Sequence, residues 1–504
     1  MKQRRIIFLT FLSLILSACG GSGSNDDSPP PAEEPSKEPP EIVEPVPETP
    51  QQHFKPQVDD WLTEKITQLN ALNCEIDNND EACEQVSLTF SDGEFLQEKS
   101  DPNQTILILD YGLEFSATVR YRSRVKAIFK QADTGYYQQN DWGDYNPAFE
   151  LPVFVVDTLK AIDNFSDEDK QARFIPAAWL TPLYTVFNEI YPYSNYQEFS
   201  GHGVIPFTYL LEHNPLAEFV IAPQPHFFKH KTDLFCYPNQ IEDEQTKTNL
   251  QRLTEYITDI SADFKENVLD KQSVDYINYS GGYTLASIES LWASYCSTPQ
   301  PSMEEKKALL NTVRPFYEVL FNSQSVLVFQ ATDINMSVDN NALDIDKAYI
   351  NRILVGDFAS LDSQLPSTGM INDIAAPALE PNRDNSKQWI DIFVNFGITP
   401  IRPFPYNNTP LMETDMLGLD SYPITSMQPS WASPLALSRA IHIKNTEFPD
   451  RLLDNLVIEQ IKEKMTPQRC NYSDWTFSDY EGRCKMQDPL LWRQHEVYRL
   501  DYLD

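Results

Sequence analysis

The sequence predicts an α/β fold in which helices cover both faces of a mostly parallel central sheet. From about residue 100 onward, short and almost continuously apolar runs alternate with longer segments whose apolar residues recur at helical spacing. Strands that are apolar along their whole length are typical of a sheet buried on both faces. Strands and helices in alternation are typical of parallel sheets with helical crossovers. With 504 residues, the chain is long enough for one large domain or two ordinary ones.

The apolar runs and the helical patterns follow each other along the chain. The predicted strands are TILIL (105–109), AEFVIA (217–222), VDYINYS (274–280), SVLVFQA (325–331), NRILVG (351–356) and WIDIFVNF (389–396). The predicted helices span 204–212, 246–270, 284–295, 304–321, 431–443 and 450–465, the fourth with an internal proline. The sequence contains no internal repeat and no glycine-rich phosphate loop.

The N-terminus resembles that of a bacterial lipoprotein. MKQRR is basic, IIFLTFLSLILSA is apolar and ends in small residues, and LSACGG resembles a lipobox. This predicts a signal peptide over 1–18 and a lipid on Cys19; the alternative is an ordinary secretory signal with a stray cysteine. Because Gly20 and not aspartate follows the cysteine, the resemblance implies an outer-membrane anchor that faces the periplasm or the exterior. Residues 19–56 are rich in proline and glutamate, which predicts an extended, solvated tether.

Charge excludes one class of partner. The chain carries 39 Lys and Arg against 74 Asp and Glu, a formal net charge of −35. Nucleic acids are therefore not expected as partners, because binding their phosphates requires a basic surface. Beyond the N-terminus no segment approaches the ~20 apolar residues that span a bilayer. The predicted lipid is thus the only expected contact with a membrane, and the oligomeric state is left open.

Six cysteines follow the predicted lipid-bearing one. An even number of cysteines in an exported protein predicts disulfides. Proximity in the sequence favours two pairs and leaves a third, namely Cys74–Cys83, Cys470–Cys484 and Cys236–Cys296. No CxxC spacing is present, which weakens a zinc or redox interpretation.

Polar residues stand where several predicted strands end and helices begin. In α/β sheets, ligands bind at the carboxyl ends of the strands. Those ends carry Asp110, then Ser280 with Gly281 and Gly282, and then Asp333, while His202 and Ser430 stand at the starts of helices. Taken singly, an aspartate or a serine in such a place is as readily a turn or helix cap, and a histidine as readily a hydrogen-bonded polar residue.

Taken together, these segments resemble the subtilisin-like serine peptidases (subtilases) over roughly residues 100–465. TILILDYG is similar to the aspartate motif, SGHGVIPF to the histidine motif, VDYINYSGG to a strand lining the substrate cleft, and SVLVFQATD to the strand that ends at the oxyanion hole. PSWASPLALS is similar to the serine motif Thr-Ser-x-Ala-x-Pro, with Ser430, Ala432 and Pro434 in the matching places. The chain order Asp, His, Ser is that of the subtilases.

The resemblance implies a three-layer subtilisin-like fold and a serine endopeptidase that cleaves peptides or proteins. It implies catalytic roles for Asp110, His202 and Ser430, an oxyanion hole at Asp333 or at Asn335, and substrate binding by Ser280, Gly281 and Gly282. The catalytic domain is expected over 57–465, with an insertion near 135–198 and a disulfide-stapled extension over 466–504.

Three departures from the family pattern keep an alternative open. Gln428 and Pro429 replace the glycine and threonine expected before the serine, and Asp333 replaces the usual oxyanion-hole asparagine. A carboxylate there would repel the developing oxyanion. Residues 57–100 are also short for an inhibitory pro-domain. The alternative is a catalytically impaired relative that binds extended peptides or an envelope partner. An unrelated α/β hydrolase is disfavoured, because the sequence has no GxSxG elbow.

No cofactor is expected. His226 and His230 stand four apart and could share a metal on a helix, but no third ligand is evident. Calcium is common among subtilases, yet no compact acidic loop is assigned to it. The nearest candidate, DNNALDID (339–346), is interpreted as a solvated loop.

Overall fold

The computed structural model of the protein describes a large part of the chain. The described residues are 50–72, 74, 80–88, 94–111, 121–139, 149–163, 175, 177–190, 202–214, 216–241, 246–332, 336–346, 349–358, 389–395, 412–414, 421–423, 429–465 and 486–487. Among them, no helix is both long and apolar enough to span a bilayer.

The described helices are, in chain order, α1 (Pro50–Leu69), α2 (Val153–Asp163), α3 (Thr181–Ile190), α4 (Val204–His213), α5 (Phe227–His230), α6 (Thr232–Cys236), α7 (Asn249–Phe264), α8 (Leu285–Tyr295), α9 (Met303–Asn311), α10 (Arg314–Asn322), α11 (Pro429–Glu447) and α12 (Asn455–Met465). A π-helical turn, Lys265–Asp270, directly continues α7.

The described strands are β1 (Gln85–Leu88), β2 (Thr105–Asp110), β3 (Val125–Gln131), β4 (Tyr137–Gln139), β5 (Phe149–Pro152), β6 (Glu218–Pro223), β7 (Tyr276–Tyr279), β8 (Leu327–Ala331), β9 (Arg352–Phe358), β10 (Ile392–Asn395), β11 (Met412–Thr414), β12 (Ser421–Pro423) and β13 (Met486–Gln487).

Nine of these strands form the central sheet, in the order β13-β10-β9-β8-β7-β2-β6-β3-β4. Every pair in it is parallel except β3 with β4, which is antiparallel at the edge. Two antiparallel pairs, β1 with β5 and β11 with β12, lie outside the sheet.

Helices cover both faces of the sheet, so the predicted α/β class with a mostly parallel sheet is confirmed. Successive side chains of a strand point to opposite faces, and β2 shows this directly. Ile106 and Ile108 join one buried cluster with α4, α11 and α12, whereas Leu107 and Leu109 join another with α5 to α10. The whole of β2 is buried, which explains why its sequence is apolar from Ile106 to Leu109.

The chain leaves β2 and its neighbour β7 in opposite directions across the sheet. From β2 it continues to β3 and β6 on one side, and from β7 it continues to β8 and β9 on the other. The carboxyl ends of β2 and β7 therefore flank a topological switch point, where a crevice opens in doubly wound sheets. Asp110 ends β2, and Ser280 directly follows β7.

Four of the differences from the predicted elements concern two helices, one strand and the predicted tether. The predicted helix 304–321 is two helices, because Pro315 lies in the first turn of α10, where a missing N–H costs nothing, and not inside one long helix. The last helix begins at Asn455, and the Asp454 carboxylate accepts a hydrogen bond from the N–H of Val457. β3, in which two lysines flank a short apolar run, was not predicted. Helix α1 begins at Pro50, inside the segment predicted to be an extended tether.

A second, smaller core joins the N-terminal part of the chain to the predicted insertion. Val58, Leu62 and Leu69 of α1 are buried in one cluster with apolar residues of β5, α2 and α3. β1 pairs with β5, so the link runs through backbone as well as side chains. The described residues of α1 and β1 therefore pack with those of β5, α2 and α3, which the sequence analysis placed in an insertion.

Two disulfides lie within the described residues, Cys74–Cys83 and Cys236–Cys296. The first closes a short loop next to the small core, and the second joins the end of α6 to the residue that follows α8. Cys470 and Cys484 lie outside the described residues, as does Cys19.

Candidate functional site

Asp110 and His202 are hydrogen-bonded to each other although they are far apart in the sequence. Nδ1 of His202 lies 2.8 Å from Oδ1 and 3.0 Å from Oδ2 of Asp110. The aspartate side chain is fully buried, and the histidine side chain is 13% exposed. A carboxylate can only accept, so Nδ1 carries the proton and Nε2 is left as the basic nitrogen.

The backbone explains why these two residues meet. The N–H of Gly203 donates to the carbonyl oxygen of Tyr111 at 2.9 Å, which ties the turn before α4 to the residue after β2. The N–H of Tyr111 donates to Oδ1 of Asp110 at 2.7 Å and fixes the carboxylate at the end of the strand.

The environment of Asp110 has two opposing effects on its charge. Burial raises the pKa of the Asp110 carboxyl above its usual value. The hydrogen bond and charge of His202 act in the opposite direction, as do the N–H of Tyr111 and the hydroxyl of Ser280. The site thus confines a carboxyl in an apolar sheet and surrounds it with donors that favour its ionised form.

Asn278 and Ser280 form a hydrogen-bonded pair beside the aspartate. The amide Nδ2 of Asn278 donates to the Ser280 hydroxyl oxygen at 3.1 Å, and this hydroxyl is one of the groups that act to lower the pKa of Asp110. Asn278 is fully buried within β7. Substrate binding by Ser280 stays a prediction.

Helices α4 and α11 run side by side in the same direction, and both begin at the site. At their start, the ring of Trp431 lies 4.7 Å from the ring of His202. Further along, Nδ2 of Asn214 donates to the hydroxyl oxygen of Ser438 at 2.9 Å. Two helix N-termini, each with free N–H groups and partial positive charge, therefore point toward the same edge of the sheet.

Ser430 is the second residue of α11, and it is partly exposed. Trp431, its neighbour in the chain, contacts His202, so the first turn of α11 lies beside the imidazole. No hydrogen bond joins Ser430 to His202 among the contacts of the described residues. A short hydrogen bond of this kind often forms only when substrate is bound. Ser433, one turn later, is buried, and its hydroxyl donates to the carbonyl oxygen of Phe329 in β8.

Gly281 and Gly282 are packed against protein side chains. A methyl group on Gly281 would collide with the amide of Gln224, and one on Gly282 would lie 2.9 Å from Oδ2 of Asp344. The carbonyl oxygens here are also engaged, because Ser280 accepts from Nε2 of Gln224 at 3.1 Å. Because the two glycines have no side chain, Gln224 and Asp344 have room to pack against the turn. Substrate binding by these glycines stays a prediction.

Asp344 supports this turn through a network of hydrogen bonds. It is 4% exposed, and its Oδ1 accepts hydrogen bonds at 2.7 Å from the Tyr317 hydroxyl and from Nε2 of Gln330. The same Nε2 also donates to the carbonyl oxygen of Gly281 at 3.0 Å. The expectation that 339–346 is a solvated loop is therefore wrong at Asp344. This side chain is buried, and its hydrogen bonds join it to α10 and β8.

The structure gives no support to a metal centre in the part of the chain that it describes. No group of three or more histidine, cysteine, aspartate or glutamate side chains there is arranged to hold a metal ion. His230 instead bonds through Nδ1 to the carbonyl of Asp133 and through Nε2 to Oε1 of Gln131. The two residues predicted for the oxyanion hole, Asp333 and Asn335, lie outside the described residues.

Two aromatic residues of the site were not predicted. Tyr111 stacks on His202 with ring centroids 4.9 Å apart and planes inclined by 16°, and Trp431 lies against the same imidazole. Each directly follows a predicted catalytic residue, so their positions in the sequence were a usable signal. Their contact with one histidine depends on tertiary structure alone.

Comparisons with known proteins name no family for this chain. No protein-family model matches it, and no curated protein matches it. One solved structure, named S41 Psychrophilic Protease, is similar at 11% sequence identity and a TM-score of 0.29, over 72% of this chain and 82% of that chain. A likeness of this size identifies neither the fold nor the activity of the present protein.

Proposed function

We propose that the protein is a subtilisin-like serine endopeptidase with Asp110, His202 and Ser430 as its catalytic residues. The observation that carries the proposal is the buried Asp110 carboxylate 2.8 Å from Nδ1 of His202, at the switch point of the sheet. It leaves Nε2 as a base next to the first turn of α11, which contains Ser430.

The reaction follows from these roles. Oγ of Ser430 attacks the peptide carbonyl carbon while its proton passes to Nε2 of His202. Asp110 holds the ring and stabilises the imidazolium that forms. When the tetrahedral intermediate collapses, His202 gives the proton to the leaving amine and an acyl-enzyme remains. Water, activated by the same histidine, then releases the acid and regenerates Ser430.

The N-termini of α4 and α11 supply the electrostatic part of the proposal. Negative charge develops on the carbonyl oxygen, and free N–H groups at the start of a helix are suitable donors for it. We assign a further donor to Asp333 or Asn335. If Asp333 has this role, its carboxyl must be protonated to donate.

A fluorophosphonate probe tests the proposal. Attack by Oγ of Ser430 on phosphorus forms a P–O bond, fluoride leaves, and His202 takes the serine proton. We expect mass mapping to find the probe on Ser430, and Ser430→Ala to abolish labelling. Ser433→Ala is the matched control, because that serine lies one turn along the same helix but is buried. A folded wild-type protein that stays unlabelled would refute the peptidase.

We further propose that a lipid on Cys19 holds the protein at the bacterial envelope, with 20–49 as its tether. The lipobox-like LSACGG and the proline-rich composition support this. Replacing Cys19 with serine should move the protein from the membrane fraction to the soluble fraction. A Cys19→Ser variant that still required detergent for extraction would contradict the anchor.

A catalytically silent peptide-binding protein is the second candidate, and one sequence observation favours it. A carboxylate at Asp333 opposes the charge of an oxyanion, and loss of a single donor there costs about 10²–10³ in rate. For a silent protein, Asp333→Asn should create labelling at Ser430 where the wild type shows none. For an active one, the same change should raise labelling at neutral pH.

A further inference from the structure

The imidazole of His202 is covered by aromatic rings on two sides. Tyr111 stacks almost parallel to it at a centroid distance of 4.9 Å, and Trp431 lies at 4.7 Å with planes inclined by 34°. No contact between the rings of Tyr111 and Trp431 is present, although both residues are described. The two rings contact the imidazole separately, and we take them to lie on different sides of it.

The ring nitrogens of an imidazole form hydrogen bonds in the plane of the ring. The Nδ1 edge is held by Asp110, so Nε2 can act only in the plane of the ring. Trp431 is joined by a peptide bond to Ser430, so the ring that covers one face also fixes where the nucleophile lies relative to the base. Tyr111 has the corresponding link to Asp110, through its N–H at 2.7 Å.

Aromatic faces also attract positive charge. A cation within about 6 Å of a ring centroid gains roughly 0.5–1 kcal/mol when exposed and about 2 kcal/mol when desolvated. His202 is neutral before reaction and positive while it holds the serine proton. The attraction therefore grows during the step that it assists, which is the requirement for lowering a barrier.

Trp431 is 4% exposed, and its indole Nε1 is buried without a hydrogen-bond partner in the described part of the molecule. An unpaired buried donor destabilises a fold. Phenylalanine would fill much of the same space without this loss, so Trp431→Phe tests the aromatic ring separately from the indole N–H.

We infer that Tyr111 and Trp431 form an aromatic clamp that holds the His202 imidazole edge-on to Ser430 and stabilises its positive charge during proton transfer. The inference rests on the proposed function for its catalytic half; its positioning half rests on ring geometry alone. Tyr111 and Trp431 are positioning residues, since they act through His202.

The test uses the full chain with ¹³C- and ¹⁵N-labelled histidine, and His202→Gln assigns the resonances. The ring-CH protons of His202 should lie upfield because of two ring currents, and its Nδ1–H should give a far-downfield signal. Tyr111→Leu and Trp431→Leu should each remove part of the upfield displacement and broaden the Nδ1–H signal. Tyr111→Phe and Trp431→Phe should retain both features. Tyr237→Leu, at another exposed tyrosine, should change nothing.

Labelling by the fluorophosphonate probe gives the catalytic readout. We expect a fall of roughly 2–5-fold for Tyr111→Leu and up to about 30-fold for Trp431→Leu, with the phenylalanine variants close to wild type. Tyr111 is 55% exposed, so its leucine variant should fold even if that of the buried Trp431 does not.

The outcomes separate the two proposals. Leucine variants that keep both the resonances and the labelling rate of the wild type overturn the clamp. So do phenylalanine variants that lose the resonances as fully as the leucine ones. A wild type without probe on Ser430, but with resonances that respond to these substitutions, refutes the peptidase and the charge-stabilising half of the clamp while its positioning half stands.

Discussion

Asp275 offers a pH-dependent test of how the central strands are joined. It directly precedes β7, its Oδ2 accepts a hydrogen bond at 3.0 Å from the N–H of Thr105 in β2, and its own N–H donates to the carbonyl of Thr105. Burial raises the pKa of Asp275 from 3.8 to about 6, against the opposing effects of that hydrogen bond and of Lys126. The charged form is therefore disfavoured in the folded state.

The sign and size of the effect follow from the raised pKa. Below about pH 4 the carboxyl is protonated in both the folded and the unfolded chain, and it contributes nothing to the difference. As pH rises through 6, the folded state must lose a proton that the unfolded chain has already released, so the free energy of unfolding falls. About two pKa units correspond to roughly 3 kcal/mol, and partial exposure of the side chain reduces this to about 1–3 kcal/mol.

Asp275→Asn should therefore stabilise the protein by about 1–3 kcal/mol at pH 8 and leave it nearly unchanged at pH 4. The asparagine keeps an oxygen for the N–H of Thr105. The assay is denaturant unfolding of both proteins between pH 4 and pH 8. The contributions of the other titrating groups are the same in both proteins and cancel in the difference between the two free energies of unfolding. Asp339→Asn is the control, because Asp339 is exposed and its hydrogen bond to Lys307 lowers its pKa. A difference that is flat with pH would refute the reasoning.

Two further predictions concern the switch point. Ser280→Ala removes a hydroxyl that helps to lower the pKa of Asp110 and should slow probe labelling of the protein by up to about tenfold, the effect of one lost polar interaction with a charged group; labelling at the wild-type rate would show that this hydroxyl is dispensable. Gly282→Ala should lower the free energy of unfolding by about 1–3 kcal/mol, because the new methyl group would lie 2.9 Å from a buried carboxylate; an unchanged thermal midpoint would contradict this.

The sheet was predictable because its strands are buried on both faces. Runs such as TILILD are apolar between their first and last residues, which distinguishes them from the amphipathic helices around them. β3 escaped prediction because it lies nearer the edge, where two lysines flank a short apolar run. The break between α9 and α10 was missed because a proline pattern alone does not tell a kinked helix from the first turn of a new one.

At the site, the sequence identified residue types and chain order but not their surroundings. The pairing of Asp110 with His202 was expected from the motifs, and the structure brings these two together. The aromatic clamp and the hydrogen bonds of Asp344 join segments from distant parts of the chain. No local sequence pattern encodes such contacts. For the same reason the contacts of Gly281 with Gln224 and of Gly282 with Asp344 could not be read from the sequence.

The small core shared by α1, α2 and α3 bears on where the chain could be cut without loss of the fold. β1 pairs with β5, and α1 shares an apolar cluster with α2 and α3. A chain cut just before β2 would leave α2 and α3 with exposed apolar faces. The segment that carries α1 and β1 is thus part of the same folded body as α2 and α3, and its removal would destabilise them.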